Sequence, residues 1–556
     1  MNSQRLVTLF YACIALLLYS GMALCQDARE SARAKPTPIV FPTAASPQAE
    51  ALFLAGVKML HNFQYDDAVL TFRNAIKMQP SFDMAYWGLA MSYNHPLWGE
   101  QDMQTAQDVL TELDKAPTTM MSTREKGFID AIRLLYGNGD KARRDTAYAD
   151  AMGRLYAQYP KDDEVASFYG LALLGEESDE GRSFLLTMKA SDVLEQVYAR
   201  NPTHPGVLHY LVHCYDDPKY AGLGVTAADR YEEVAGDSAH ALHMPSHIYL
   251  DLGLWKRFVY ANERSWVASE NLMIQGTVKP GEYDIHGLHT LLWLQYGHLQ
   301  QGQLAQALNC LRTMEKIYAL NPSPMVKWYL AMMRASYVVD AQNWKEVNMS
   351  LDLDGIELTA PTSDLFASGL ASLRENHTDM QPTIKQIGDL VADRQKASEE
   401  LKGHDMHHDV SFFTSFYITS ISPAKIMQGE LQAMQSLAEG NDIEAVNRLI
   451  DAAAEEDKLP IGYGPPVPVK PSEELLGEMY LRLGRPVNAM RAFQVALIRC
   501  PNRAASLIGL SEAANLSGDR ETAAKADDKL RDMGIDNGNR YQAWKVWPCK
   551  DCAQSK

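Results

Sequence analysis

The chain has 556 residues, 46% of them hydrophobic and 22% charged, a balance that excludes a disordered protein and provides for several ordinary domains or one long repeat array. Seventy acidic residues against 52 basic ones leave a formal net charge of −18. That charge argues against nonspecific nucleic-acid binding, because a phosphate backbone would be repelled.

The N-terminus reads as an export signal. Residues 1–5 are a short polar start carrying Arg5, and residues 6–19 form an apolar run of signal-peptide length, too short for a comfortable membrane span. Gly21 and Ala23 are placed for a signal-peptidase cut, and a cut after Cys25 is the alternative. Residues 1–25 are therefore assigned to a signal peptide and the expected location is periplasmic or secreted. Lipoprotein anchoring at Cys25 is the weaker reading, since Leu24 is bulky where a small residue is expected, and an N-terminal membrane anchor is a further alternative. Residues 26–47, rich in Ala, Pro, Ser and charge, read as a flexible linker. Nothing further along is long and apolar enough to span a bilayer, so no membrane insertion is expected after signal removal.

Residues 48–548 read as one continuous array. Gly56, Ala68, Phe72, Ala75 and Pro80, followed by Tyr86, Leu89, Ala90 and Tyr93, have the spacing of the small and aromatic landmarks of a tetratricopeptide repeat, clear over residues 49–100. The middle is degenerate but keeps Pro160, Pro202, Gly253 before Trp255, Gly302 with Ala307, and Trp328 with Trp344. Residues 351–364 and 399–409 read as loops, and residues 459–471, with five prolines, as an extended polyproline-like insert. Gly477, Tyr480, Gly484, Ala489, Phe493, Ala496 and Pro501 restore the template over residues 470–530. The expected fold class is all-α, an α-solenoid of tetratricopeptide-type helical hairpins: small landmarks let paired helices approach, aromatics fill the groove between hairpins, and proline ends each second helix. In the tail, residues 549–556, Cys549 and Cys552 read as a small disulfide loop; a redox-active pair would need a βαβ context that this pattern lacks.

Nine of the fifteen histidines fall between His204 and His298. His209 and His213, and again His243 and His247, are spaced by four, which puts both imidazoles of a pair on one helix face. The two pairs lie 34 residues apart, one helical-hairpin period. In repeat register these residues take the fifth and ninth positions of first helices, which face the concave groove; His240 and His289 take second positions, His286 sits one turn earlier, and His61 and His95 take thirteenth positions. Four imidazoles facing one groove suit a transition metal (zinc, copper or nickel), with His209, His213, His243 and His247 as ligands. Asp216 or Asp217 could be a fourth ligand or hold an imidazole. The alternatives are a groove that recognises a carboxylate or peptide, with His95, Asp216, Asp217, His240, His286 and His289 lining it, and a structural polar network. Pro245 would locally break or start a helix, which could splay His240 and His243 away from His247. His404, Asp405, His407, His408 and Asp409 form a second, polar group that reads as a solvated segment.

The blocks NHPLWGEQ at 94–101, HYLVHCYDDP at 209–218, HALHMPSHIYLDLG at 240–253 and GYGPPVPVKPSEELLGE at 462–478 are more specific than repeat landmarks. Over most of its length the chain resembles a family of exported bacterial tetratricopeptide-repeat proteins of unestablished activity, which implies the fold and an exported location but no mechanism. The function expected is that of a binding or scaffold protein whose histidine-rich groove takes a peptide or small ligand, through a metal or without one. No catalytic residue is assigned. The alternative is a periplasmic metal-dependent hydrolase with Glu232, Glu233 or Asp216 as base.

Overall fold

A computed structural model of the chain describes residues 38–117, 120–176, 183–234, 236, 238–274, 285–345, 351–374, 379–402, 420–462 and 464–536. The signal assignment, most of the linker, the polar histidine group at 404–409 and the Cys549/Cys552 tail lie outside these residues. The described chain is helical almost throughout. The first hairpin pairs α1 (Pro47–His61) with α2 (Tyr65–Met78), and α3 (Asp83–Met91) leads into a two-stranded hairpin, β1 (Asn94–His95) with β2 (Glu100–Gln101), closed by a 3₁₀ turn at Pro96–Trp98. The array continues with α4 (Met103–Lys115), α5 (Thr123–Leu135), α6 (Lys141–Gln158), α7 (Asp163–Gly175), α8 (Phe184–Tyr198), α9 (Pro205–Tyr215), α10 (Ala221–Val234), α11 (Ala239–His243) and α12 (Pro245–Asp251). Next come α13 (Trp255–Ile274), α14 (Ile285–Gln300), α15 (Leu304–Leu320), α16 (Pro324–Ala341), α17 (Thr359–Arg374) and α18 (Gln381–Lys402). The last helices are α19 (Ile421–Ala438), α20 (Asp442–Glu456), α21 (Ser472–Arg482), α22 (Pro486–Arg499), α23 (Ala504–Ser517) and α24 (Arg520–Met533). Helix α17 begins inside the stretch expected to be a loop, and α18 runs on through Lys402. Among the described residues, no helix is long and apolar enough to cross a membrane.

The landmarks do what their chemistry dictates. A methyl group on Gly56 or Gly88 would stand 2.6 or 2.3 Å from the Phe72 ring, and one on Gly477 or Gly509 would stand 2.8 or 2.2 Å from Phe493. One aromatic ring thus fills the groove between two first helices only because both present a bare Cα. Short connections make successive helices antiparallel, so each hairpin buries its apolar face on the next and the core runs unbroken from Phe41 to Ile535.

Two contacts bring together repeats that are distant in sequence. Helix α1 packs against α9, with Tyr231 donating to Asn62 Oδ1 at 2.9 Å. Near the other end, Trp255 Nε1 donates to the Asn502 carbonyl at 2.8 Å. Gly253, at φ +61°, passes so close to Pro501 that a Cβ would lie 2.3 Å from its carbonyl oxygen. The solenoid therefore folds its own ends onto its central hairpins. The proline-rich insert also turns inward: Val469 and Lys470 are buried, and Gly464 lies beside the Trp293 ring.

Candidate metal centre

The concave wall is not an open groove at the histidines, as the register alone would have it. His61, His204, His209 and His243 are at most 2% exposed, and His240 and His247 are also buried, while His213, His286 and His289 keep partial exposure along one edge. Helix α1 and the Pro96–Trp98 turn fill the groove. Phe63 sets its ring 4.3 Å from that of His209, 5.6 Å from His240 and 5.8 Å from His213, and Trp98 packs on His240 and His286 at 5.9 and 5.5 Å.

His204 caps α9: its Nδ1 accepts from Val207 N at 3.2 Å, with Pro205 at the first helical position, where no donor is needed. The Nε2–H of His204 then donates to Glu164 Oε1 at 3.0 Å. His61 gives its Nε2–H to Glu164 Oε2 at 2.8 Å and accepts from the Tyr210 hydroxyl at Nδ1, 2.9 Å away. These three groups lie close enough to hold an ion, yet every polar atom in them has a hydrogen-bond partner. Burial pushes the Glu164 carboxyl up, but the facing His61 and His204 bring it well below the ordinary carboxylate range. This cluster is a structural lock between α1, α7 and α9.

The four expected ligands do not converge on one point. Each pair holds together and recruits a third imidazole from the next repeat, giving His209/His213/His240 and His243/His247/His289. In the first trio, His209 Nδ1 donates to the His61 carbonyl at 2.6 Å, so its Nε2 carries the lone pair. His213 Nε2 stands 3.1 Å from that atom and His240 Nε2 3.3 Å from it. Nitrogens bound tetrahedrally to one ion at about 2.0–2.1 Å lie about 3.3–3.4 Å apart. Burial holds the His209 imidazole down to about 3 and that of His240 well below the usual value, so both are neutral at physiological pH.

In the second trio, Pro245 does start a new helix, but Met244 keeps helical backbone angles and the axis continues. His243 and His247 consequently stay together, ring centroids 5.1 Å apart, so the splaying that Pro245 could cause does not occur. His243 donates from Nδ1 to Asn262 Oδ1 at 2.7 Å, and His247 from Nδ1 to Asp216 Oδ2 at 2.8 Å. Asp251 stands beside Asp216; burial and the charges of Asp216 and Asp217 push its carboxyl up to about 9, so it is neutral there. Asn262, Glu164, Tyr210 and Phe63 escape a reading based on repeat register, whereas Asp251, four residues after His247, obeys the same spacing rule as the histidines.

Other expected groups lie elsewhere. Asp217 accepts from the Lys219 backbone N–H at 2.8 Å and shapes the turn after α9. His95 stacks on Tyr65 at 4.0 Å and faces Glu100, one aromatic ring removed from the cluster. His286 lies 4.8 Å from His240, at the edge of the first trio. Glu232 is taken by Tyr249 and Arg264, and Glu233 by Arg230, so neither bears on the imidazoles as a base would.

No family model matches the chain, and no curated protein does. Among solved structures it is similar to a tetratricopeptide repeat protein from Parabacteroides merdae ATCC 43184, at 14% identity over 56% of this chain and 99% of that one, TM-score 0.27. It is similar to yeast Tom70 at 13% identity over 90% and 94% of the two chains, TM-score 0.31, and to human IFIT1, solved as a dimer with PPP-AAAA, at 12% identity over 86% and 95%, TM-score 0.34. At these TM-scores the fold assignment rests on the hairpin packing described above.

Proposed function

We propose that this α-solenoid is a transition-metal-binding protein whose ion is held by His209, His213 and His240. The observation that carries the reading is the convergence of three Nε2 atoms, with those of His213 and His240 standing 3.1 and 3.3 Å from that of His209. In the metal-free state the His209 lone pair can accept one good hydrogen bond. A cation answers all three. The His61 carbonyl fixes the tautomer of His209, as backbone carbonyls do for metal-ligating histidines. The set is nitrogen-only and partly apolar in its surroundings, which suits zinc, copper or nickel and not magnesium or calcium. An ion held by three imidazoles keeps a coordination position for a water or a ligand atom and acts on it as a Lewis acid. The partly exposed edge at His213 and His286 gives a route in.

Binding of a small polar ligand at that position is the role we assign, in an exported compartment as the apolar run at 6–19 suggests. Stacked hairpins also offer long surfaces to protein partners. With the concave wall filled at the histidines, a peptide partner would use another face. The test is elemental analysis of tag-free protein after reconstitution with zinc, copper and nickel in turn. Retention of bound metal, lower by one ion per chain in His213→Ala with helical circular dichroism unchanged, is expected. No retained ion under any of the three would end the metal reading.

A further inference from the structure

We infer that His243, His247 and His289 form a second metal centre, so that the chain holds two transition-metal ions in neighbouring tri-histidine sites. The inference rests on the proposed metal function for the chemistry of its ligands, but on separate observations for its existence.

The first is an orphaned atom. Asn262 gives its Nδ2 to the Phe258 carbonyl at 2.9 Å, which turns Oδ1 toward His243 and fixes that imidazole with its proton on Nδ1. The Nε2 lone pair of His243 is left fully buried with no hydrogen-bond partner among the described residues. Leaving such an acceptor unsatisfied is costly, because the full desolvation penalty of the atom is not recovered. His247 donates from Nδ1 to Asp216 in the same way, which leaves Nε2 as its nitrogen for an ion. Imidazole nitrogens of His243, His247 and His289 lie within 4.8 Å of one another. The Asn262 amide and the Asp216 carboxylate are outer partners of the kind that orient metal-ligating imidazoles.

The second observation is repeat symmetry. The first trio takes the fifth and ninth positions of one first helix and the second position of the next. His243, His247 and His289 take the same three positions one repeat later. The two trios are therefore copies produced by stacking similar hairpins, displaced by one step along the solenoid, and they meet where the rings of His213 and His247 stand 6.2 Å apart. The third is the wall. Trp293 packs its indole 4.6, 4.5 and 5.2 Å from the rings of His243, His247 and His289, and Gly464 of the proline-rich insert lies beside that indole. An apolar wall excludes bulk water from a nitrogen donor set, which raises the cost of leaving the lone pairs bare.

The experiment is a zinc titration of metal-free, tag-free full-length protein, with bound zinc counted after gel filtration. The variants are His213→Ala for the first centre and His289→Ala for the second, both at the partly exposed edge. A third, Asp216→Asn, keeps the shape around His247 but weakens its support. The expected result is two zinc ions per chain in the wild type, one in each alanine variant and none in the double variant. Asp216→Asn should bind the second ion about 10- to 100-fold more weakly and leave the first unchanged. One ion in the wild type, lost in His213→Ala and kept in His289→Ala, overturns the second centre and leaves the first. One ion lost in both variants means a single shared ion and also overturns it. One ion kept in His213→Ala and lost in His289→Ala supports the second centre and sinks the first. No zinc in any form overturns both.

Discussion

Glu164 shows how a histidine cluster that looks like a metal site can be something else. Its two carboxylate oxygens each accept one imidazole N–H, from His61 at 2.8 Å and from His204 at 3.0 Å, and all three residues are buried. Glu164→Gln replaces one acceptor by a donor that faces another donor. We predict a loss of about 1–3 kcal/mol in urea unfolding, the cost of one buried unpaired group, with zinc stoichiometry unchanged. Loss of an ion in this variant would show the cluster to be a ligand set. His209 supplies a second prediction, for the metal-free protein. Burial holds its folded-state value down to about 3, with the imidazoles of His247, His61 and His286 adding to the effect and the bond to the His61 carbonyl opposing it. An unfolded histidine titrates near 6.5, so between about pH 6.5 and pH 3 the unfolded chain binds the extra proton. Stability must then fall as pH drops below 6.5, by about 1.4 kcal/mol per pH unit for this one group. The urea midpoint of metal-free protein should fall between pH 7 and pH 5.5, and His209→Leu should make that fall shallower. A midpoint equal at both pH values would show that the imidazole is not held neutral by the fold.

The turn between the first and second helix of a hairpin is where local rules and the site collide. In most such turns one residue must take a left-handed conformation, and Gly253, Gly302 and Gly484 do so at φ +61°, +66° and +65°. The α1–α2 turn puts Phe63 there at φ 55°. A non-glycine residue in that region costs about 1–2 kcal/mol, and the return is a ring seated on His209, His213 and His240. Phe63→Gly should relieve the backbone but remove a buried ring worth about 3–5 kcal/mol, for a net loss of about 1–4 kcal/mol in urea unfolding. It should also speed zinc release from the first centre, read by chelator competition. A stability gain would mean that the ring contributes nothing. Much of this scale is legible in the sequence, because helix pairing and the four-residue histidine spacing are local. Gly56, Phe72 and Gly88 announce a hairpin stack, and the second, fifth and ninth positions announce which histidines face inward. The grouping into two trios is harder to read, since it depends on how far one hairpin is displaced from the next, which no spacing within a repeat encodes. The role of Phe63 is hidden for the opposite reason: its position predicts glycine, and a tertiary contact overrides the local preference.

At the scale of the molecule, the contacts that make the histidines an interior feature join residues far apart in the chain, where periodicity is silent. His209 reaches the His61 carbonyl across 148 positions, and Arg503 reaches Tyr296 across 207. Arg503 is the centre of the second closure. Its guanidinium is fully buried, donating to Glu474 Oε2 at 2.8 Å, to Asp340 Oδ2 at 3.1 Å and to the Tyr296 hydroxyl at 3.2 Å. Lys470, at the end of the proline-rich insert, pairs with Glu474 and Glu478 at 3.1 and 2.8 Å in the same interior. Lys470 thus ties the end of the insert to α21 by charge, and Glu474 carries the pairing on to Arg503, just before α23, and through it to Asp340 on α16. Arg503→Met fills much of the same volume but leaves Asp340 and part of Glu474 buried without a counter-charge. Breaking a buried pair in this way costs about 3–5 kcal/mol. Because the remaining hairpins still stack on their neighbours, the loss should fall on the closure rather than on the whole array. Limited proteolysis should then cut first within residues 459–471, faster than in the wild type, and the fluorescence of Trp293 should shift toward that of an exposed indole. If the closure shields the second trio, zinc at His243, His247 and His289 should also exchange faster in Arg503→Met, while zinc at the first trio, sealed by α1 and the Pro96–Trp98 turn, should not. Equal acceleration at both would mean that one global opening, not two separate closures, guards the histidines.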